Sequence, residues 1–197
     1  MSTHPVLFVH GIFDTGARFS IMQAALCARG FDPVRAMNII PPDASISMEA
    51  MAAQVQAAVR ELQQSAAAAK VDIVAFSMGT LVVRYYLQKM GGWTDIRRFI
   101  SISGPHHGTW TAYLGWNAGS RQMRPGSAFL QELNSESDPW GDVKVFSFWT
   151  PYDRTIIPPD SSLLPGAQNR RFNALIHHWM LSDKQVIAAV VEALEAP

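Results

Sequence analysis

The 197-residue sequence contains a single cysteine, Cys27. An intramolecular disulfide is therefore excluded, and the fold has to be held by its core. The chain also lacks an apolar run near the roughly 20 residues that a membrane-spanning helix requires. Its first residues show neither the basic segment nor the cleavage site of a secretory signal. We therefore expect a cytoplasmic location, with a secreted mature form as the alternative.

An excess of charge of either sign is also absent. The 16 Lys and Arg residues balance 16 Asp and Glu residues, and neither sign forms a long run. Such a chain is not expected to bind nucleic acid or an anionic membrane surface. Hydrophobic residues make up 48% of the sequence, which is enough for one domain with a sizeable core. No linker or repeat divides the chain, so residues 1–197 are predicted to form one domain of unspecified oligomeric state.

Short apolar runs alternate with amphipathic helical patterns along the chain. This alternation predicts an α/β fold, with a mostly parallel central sheet of about six strands and helices on both faces. The segment 110–141 is irregular, apart from a short helix at 127–133, and is a candidate for a short cap or lid. Strands are predicted at 6–9, 34–40, 71–76, 96–103, 143–149 and 171–176.

A serine stands where the pattern changes from strand to helix. The apolar run at 71–76 leads into Ser77, and the small residues Ala75 and Gly79 lie on either side. A sharp strand-to-helix turn of this kind lifts a serine hydroxyl clear of the sheet, and the start of the helix favours negative charge beside it. Ser77 is therefore a candidate nucleophile. The alternative is a serine that only caps the next helix.

A nucleophilic serine needs a base and an acid that orients the base. In a parallel sheet these residues should come from loops that follow strands. Asp153 comes just after the predicted strand at 143–149, and Asp160 is the second candidate for the acid. His177 and His178 follow the last predicted strand. Because adjacent residues of an extended chain point in opposite directions, only one can serve, and we favour His178.

Acyl transfer also needs two hydrogen-bond donors for the oxyanion of its intermediate. The N–H of Met78, directly after the serine, is one candidate, and the N–H of Ile12, in the loop after the first strand, is the other. His10 is expected to hold that loop in place. Large apolar side chains near the expected site predict an apolar acyl pocket. They are Phe13, Phe76, Met78, Trp110 and Trp179.

Several motifs together resemble those of bacterial triacylglycerol lipases and esterases of the α/β-hydrolase fold. The likeness is strongest to the small, lidless lipases of about this length, which also carry alanine at the first position of the serine motif. The resemblance covers nearly the whole chain. The motifs are Val9-His10-Gly11, Ala75-Phe76-Ser77-Met78-Gly79, Gly104-Pro105-His106-His107-Gly108-Thr109, Arg124-Pro125-Gly126-Ser127, and His178 followed by Leu181.

This resemblance implies a minimal six-stranded hydrolase in which Ser77, Asp153 and His178 form the catalytic triad of a carboxylic ester hydrolase. It implies a small ester or a lipid as the substrate, and no cofactor. No spaced ligand motif such as H-E-x-x-H indicates a metal. Two alternatives stay open. One is a catalytically idle α/β-hydrolase that serves as a binding module, and the other is an acyltransferase or thioesterase that uses the same triad.

Overall fold

A computed structural model describes residues 4–136 and 139–196, and a six-stranded sheet forms the middle of the structure. Its strands are β1 (Val6–Val9), β2 (Val34–Ala36), β3 (Val71–Phe76), β4 (Ile96–Ile102), β5 (Lys144–Trp149) and β6 (Gln168–Arg171). They lie in the order β2-β1-β3-β4-β5-β6, and each neighbouring pair is parallel. The predicted α/β fold with a mostly parallel sheet of about six strands is confirmed.

Helices occupy the connections between the strands. They are α1 (Ser20–Ala28), α2 (Met48–Ala66), α3 (Met78–Lys89), α4 (Ala118–Gln122), α5 (Ala128–Asn134) and α6 (Lys184–Glu195). The predicted irregular segment 110–141 holds α4, α5 and a 3₁₀ turn at Trp110–Leu114. Its residues 137 and 138 lie outside the described residues. Within the described parts of the chain, no helix is both long and apolar enough to cross a membrane.

Side chains of the sheet alternate between two hydrophobic cores, one on each face. On β1, Leu7 and Val9 belong to the core formed with α2 and α3. Val6 and Phe8 belong to the core formed with α1 and α6. Because both faces are covered, all four residues are buried and the strand reads as one continuous apolar run. Helices thus cover both faces as predicted, and the loops at the carboxyl ends of the strands can form a site.

The last strand differs from its predicted position at 171–176. Strand β6 occupies Gln168–Arg171, and these four residues are polar, exposed and paired on one side only, with β5. An edge strand of this composition carries no apolar period that a sequence pattern could reveal. The apolar residues at 172–176 instead lead into a 3₁₀ turn at His177–Leu181. Strand β2 is also shorter than predicted, because it ends at Ala36.

Helix α6 begins one residue later than its sequence pattern indicates. Ser182 with Gln185 resembles a capping box, but the observed N-cap is Asp183. Its carboxylate accepts hydrogen bonds from the N–H groups of Gln185, at 2.7 Å, and Val186, at 3.1 Å. A carboxylate satisfies these free N–H groups and also suits the positive end of the helix.

We predict that Asp183→Ala lowers the free energy of unfolding by about 1 kcal/mol, because two N–H groups at the start of α6 lose their acceptor. Ser182→Ala is the matched control. The Ser182 hydroxyl accepts from no N–H of α6, so its loss should change the free energy by less than about 0.5 kcal/mol. Urea unfolding followed by circular dichroism measures both, and equal losses would contradict Asp183 as the N-cap.

Candidate active site

Ser77 alone makes the turn between β3 and α3. Its backbone angles, φ 53° and ψ −126°, lie in a region that residues other than glycine rarely adopt. The turn is held on two sides. The Ser77 N–H donates to the Ile102 carbonyl of β4 at 2.9 Å, and the Thr80 hydroxyl donates to the Ser77 carbonyl at 2.7 Å. The sharp strand-to-helix turn that the sequence predicts is therefore present.

Two glycines allow the loop after β1 to pack directly against this turn. A Cβ on Gly79, in the first turn of α3, would lie 2.4 Å from the carbonyl oxygen of His10 and 2.7 Å from that of Val9. A Cβ on Gly11 would lie 2.9 Å from the Cβ of Ser77. Real side chains do not come this close, so both positions need glycine in this arrangement. The loop that carries Ile12 is thereby held beside Ser77.

His10 fixes the same loop through both nitrogens of its ring. It is fully buried, its Nδ1 lies 2.8 Å from the Gly11 carbonyl oxygen, and its Nε2 lies 2.8 Å from the Ile39 nitrogen. Since a carbonyl can only accept, Nδ1 carries the proton and Nε2 accepts the Ile39 N–H. Both ring nitrogens are therefore used in joining the loops after β1 and β2. This is the loop-holding contact that the sequence predicts for His10.

The two predicted oxyanion donors lie on either side of this packing contact. Ile12 follows Gly11 in the loop after β1, and Met78 is the first residue of α3. Neither N–H group donates a hydrogen bond to another described residue. The first N–H groups of a helix have no acceptor within the helix, and they give its N-terminus a partial positive charge. Both groups are thus available to an incoming oxygen.

A buried carboxylate–imidazole pair lies on the loops after β5 and β6. Asp153 Oδ2 and His177 Nδ1 are 2.7 Å apart, and both side chains are almost fully buried. The other carboxylate oxygen, Oδ1, accepts hydrogen bonds from the N–H groups of Thr155 and Ile156, each at 2.9 Å. The carboxylate is therefore fixed on both oxygens.

The protonation of this pair follows from its contacts. Burial by itself would raise the pKa of the Asp153 carboxyl group. The hydrogen bond and charge of His177, with the N–H groups of Ile156 and Thr155, outweigh burial and hold this pKa below its ordinary value. An ionised carboxylate can only accept, so the proton on His177 Nδ1 donates the hydrogen bond to Asp153. The Nε2 of His177 is buried and has no hydrogen-bond partner among the described residues.

The structure pairs Asp153 with His177, so the predicted pairing with His178 is wrong. The His178 side chain is 46% exposed, and its Nε2 lies 4.0 Å from a carboxylate oxygen of Asp14. Its ring meets the His177 ring edge-on, with the ring centroids 5.4 Å apart. Asp160, the second candidate for the acid, is exposed in a 3₁₀ turn at Pro159–Ser162.

The reason for this error is local backbone geometry. In an extended strand the two histidines would point in opposite directions, but they begin the 3₁₀ turn at 177–181. The buried residues of that turn are His177, Met180 and Leu181. Apolar residues three and four positions after His177 are a helical signal, and they could have placed His177 on the inner face.

A pocket of about 450 Å³ opens beside Ser77. Much of its wall comes from the first part of the 110–141 segment, and residues of other loops, such as Ile12 and Ile156, complete it. The lining is Ile12, Phe13, Ser77, Pro105, Thr109, Thr111, Ala112, Leu114, Gly115, Trp116, Asn117, Ser120, Met123, Thr155 and Ile156.

The large apolar residues expected at this pocket lie in three different places. Phe13 lines it. Phe76 and Met78 are buried beneath the turn, and the Phe76 ring packs on His177 with the centroids 4.6 Å apart. Trp110 and Trp179 are exposed and do not line it.

Among the residues that the structure describes, no three His, Cys, Asp or Glu side chains form a group that could hold a metal ion.

Comparison of the sequence with known families identifies the palmitoyl protein thioesterase family, whose model matches residues 5–123. This range contains β1, the loop of Ile12, the Ser77 turn and most of the pocket wall, and it ends before the loops of Asp153 and His177.

Solved structures with the same fold include several lipases. The mature form of lipase BlEst2 from Bacillus licheniformis has a TM-score of 0.85 at 18% identity, over 98% of this chain and 92% of that one. Lipase B of Aspergillus fumigatus has a TM-score of 0.83 at 20% identity, over 97% and 52%. The lin2722 product of Listeria innocua has a TM-score of 0.75 at 13% identity, over 98% and 94%. At these identities the likeness shows the fold, and the resemblance to α/β-hydrolase lipases and esterases is confirmed.

We predict that Gly79→Ala lowers the free energy of unfolding by about 2 kcal/mol or more, although alanine is the better helix former. The added Cβ would overlap two backbone carbonyls of the β1 loop, which cannot rotate away. Gly30→Ala is the control, because no atom lies within 4 Å of its added Cβ. This control should cost only the roughly 1–2 kcal/mol of an alanine in the left-handed region. If chemical unfolding shows Gly79→Ala to be as stable as the wild type, or more stable, the close packing is contradicted.

Proposed function

Because the chain belongs to the palmitoyl protein thioesterase family of α/β-hydrolases, we propose that it is a serine hydrolase that cleaves carboxylic esters through an acyl-enzyme on Ser77. The family and the fold are those of ester hydrolases. The observation that carries the proposal is the buried hydrogen bond between Asp153 and His177. These two residues follow the carboxyl ends of their strands, as the strained Ser77 turn does. This chemistry requires a carboxylate, an imidazole and a serine hydroxyl, which come from loops that lie far apart in the sequence.

In the proposed first step, Ser77 Oγ attacks the carbonyl carbon of the ester while His177 Nε2 takes the hydroxyl proton. The bond between the carbonyl carbon and the alcohol oxygen then breaks, and the alcohol leaves with the proton that His177 returns. In the second step, water gives a proton to the same nitrogen and attacks the acyl carbon. The bond between the acyl carbon and Ser77 Oγ then breaks, the acid is released, and Ser77 Oγ recovers a proton from His177. The buried Nε2 has no hydrogen-bond partner among the described residues, which supports this role. A hydrogen bond between base and nucleophile that is long in the free enzyme tightens in the substrate complex.

In this mechanism Asp153 serves His177 in two ways. Its ionised carboxylate keeps the proton of the neutral ring on Nδ1, so that Nε2 can act as the base. It also stabilises the imidazolium that forms when Nε2 takes a proton. The lowered pKa of Asp153 supports both roles, because the carboxylate stays charged to lower pH than an ordinary aspartate does.

The N–H groups of Ile12 and Met78 are proposed to stabilise the negative charge of the tetrahedral intermediate. Both are free of other acceptors among the described residues, and Met78 opens the positive end of α3. Fixed donors of this kind stabilise the transition state without having to reorganise. The packing of Gly11 against Ser77 supports the assignment, since it holds the Ile12 loop next to the reacting atoms.

The pocket beside Ser77 is proposed to take the acyl group. Ile12, Ala112 and Met123 give it apolar surface, and its volume is in the range of small-molecule sites. A thioesterase that uses the same residues is the second candidate, and the family match favours it, since that family is named for removing palmitoyl groups from proteins. The two reactions differ only in the leaving group. An ester and a thioester with the same acyl chain, compared by kcat/KM, separate them.

We predict that Ser77→Ala lowers kcat on p-nitrophenyl esters, from acetate to palmitate, by at least about 1,000-fold, because no acyl-enzyme can form. Ser120→Ala is the matched control. It removes a buried hydroxyl from the same pocket and should keep kcat within about threefold of the wild type.

Full activity of Ser77→Ala would reject the serine mechanism. A folded wild type that hydrolyses neither an ester nor a thioester of any chain length would favour the idle binding module.

We predict that His177→Ala lowers kcat by about 1,000-fold or more, whereas His178→Ala keeps it within about threefold. The two variants remove the same side chain from adjacent positions, so each is the control for the other. Of the two histidines, only His177 contacts the Asp153 carboxylate. A severe loss in His178→Ala with a tolerant His177→Ala would return the base to His178.

A further inference from the structure

The loop that carries Asp153 is tied to the loop after β4 by a compact set of hydrogen bonds. The Thr109 hydroxyl donates to the Thr155 carbonyl at 2.8 Å and accepts from the Ile157 N–H at 2.9 Å. The Thr111 hydroxyl also donates to the Thr155 carbonyl, at 2.7 Å. The Trp110 N–H donates to the Ile157 carbonyl at 2.9 Å. Residues 109–111 thus bind residues 155–157 along their length.

The tripeptide at 155–157 is also the segment that holds the carboxylate. The N–H groups of Thr155 and Ile156 donate to Asp153 Oδ1, and the opposite oxygen contacts His177. Thr109 contacts the first and last residues of this tripeptide, on either side of Ile156. Its position therefore decides where the two N–H donors point, and through them how the carboxylate faces the imidazole.

We infer that Thr109 is a positioning residue for Asp153: its hydroxyl clamps residues 155–157 so that the carboxylate is held against His177. The inference rests on the proposed function, since it assigns a role within that triad. Thr109 is only 4% exposed, so water cannot readily replace its hydroxyl. A valine there would leave the Ile157 N–H without its acceptor and would free one end of the tripeptide.

Ser161 provides the comparison. Its buried hydroxyl also joins the two loops, because it donates to the Gly108 carbonyl at 2.5 Å and accepts from the His107 N–H at 3.1 Å. It makes no hydrogen bond with residues 155–157 within the described structure, and it does not line the pocket beside Ser77. Removing the Ser161 hydroxyl should therefore leave the tripeptide clamped.

The experiment compares Thr109→Val, Thr109→Ser and Ser161→Ala with the wild type on one p-nitrophenyl ester at one fixed pH. Each rate is divided by the fraction of protein whose Ser77 reacts with a fluorophosphonate, so that misfolded protein does not affect the comparison. We predict that Thr109→Val lowers kcat about tenfold with KM within about twofold of the wild type. Thr109→Ser, which keeps the hydroxyl, should restore kcat. Ser161→Ala should keep kcat within about threefold of the wild type.

A Thr109→Val enzyme that melts earlier but keeps the wild-type kcat would overturn the inference, and so would equal effects of Thr109→Val and Ser161→Ala on kcat. If Thr109→Val does not fold, Thr109→Cys replaces it. A thiol is a weaker donor and acceptor than a hydroxyl, so its kcat must lie below that of Thr109→Ser. An active Ser77→Ala would reject the proposed function itself, whereas an inactive Ser77→Ala with a normal Thr109→Val rejects the clamp alone.

Discussion

The rest of the site depends on the backbone of Ser77. A residue other than glycine at this φ and ψ costs about 1–3 kcal/mol, and it persists only where the surroundings fix it. Here the carbonyl of Ile102 and the hydroxyl of Thr80 hold the turn from two sides. The same turn requires glycine at positions 11 and 79, since the β1 loop lies in contact with it. Thr80 and the two glycines are therefore required by the backbone conformation of one strained residue.

The other half of the site is built differently. Asp153 and His177 lie on loops, and loops gain their rigidity from hydrogen bonds with one another. Both oxygens of the carboxylate are occupied, one by backbone N–H groups and one by the imidazole. The site thus joins a stiff element, formed by β3 and α3, to a network of loops whose order depends on individual side chains such as Thr109.

The sequence was informative where a pattern has a physical cause that acts over a few residues. The apolar runs of β1 and β3 are buried on both faces, and the change from strand to helix at Ser77 is visible in the sequence itself. Asp153 could be proposed because it follows an apolar strand. Strand β6 could not be placed, since its residues are polar at the sheet edge, and the 3₁₀ turn that buries His177 therefore resembles the end of a strand in the sequence. The apolar residues Met180 and Leu181 do indicate His177, but only once the two histidines are taken as the start of a turn.

The two edges of the sheet also bear on how copies of this chain behave toward one another. An unpaired edge strand exposes N–H and C=O groups that can template a strand of another molecule. At one edge β2 is only three residues long, and at the other β6 ends in Arg170 and Arg171. A short edge and a cationic edge both discourage such growth. The polar composition that hides β6 from a sequence pattern therefore protects a Val- and Phe-rich sheet from aggregation in concentrated solution.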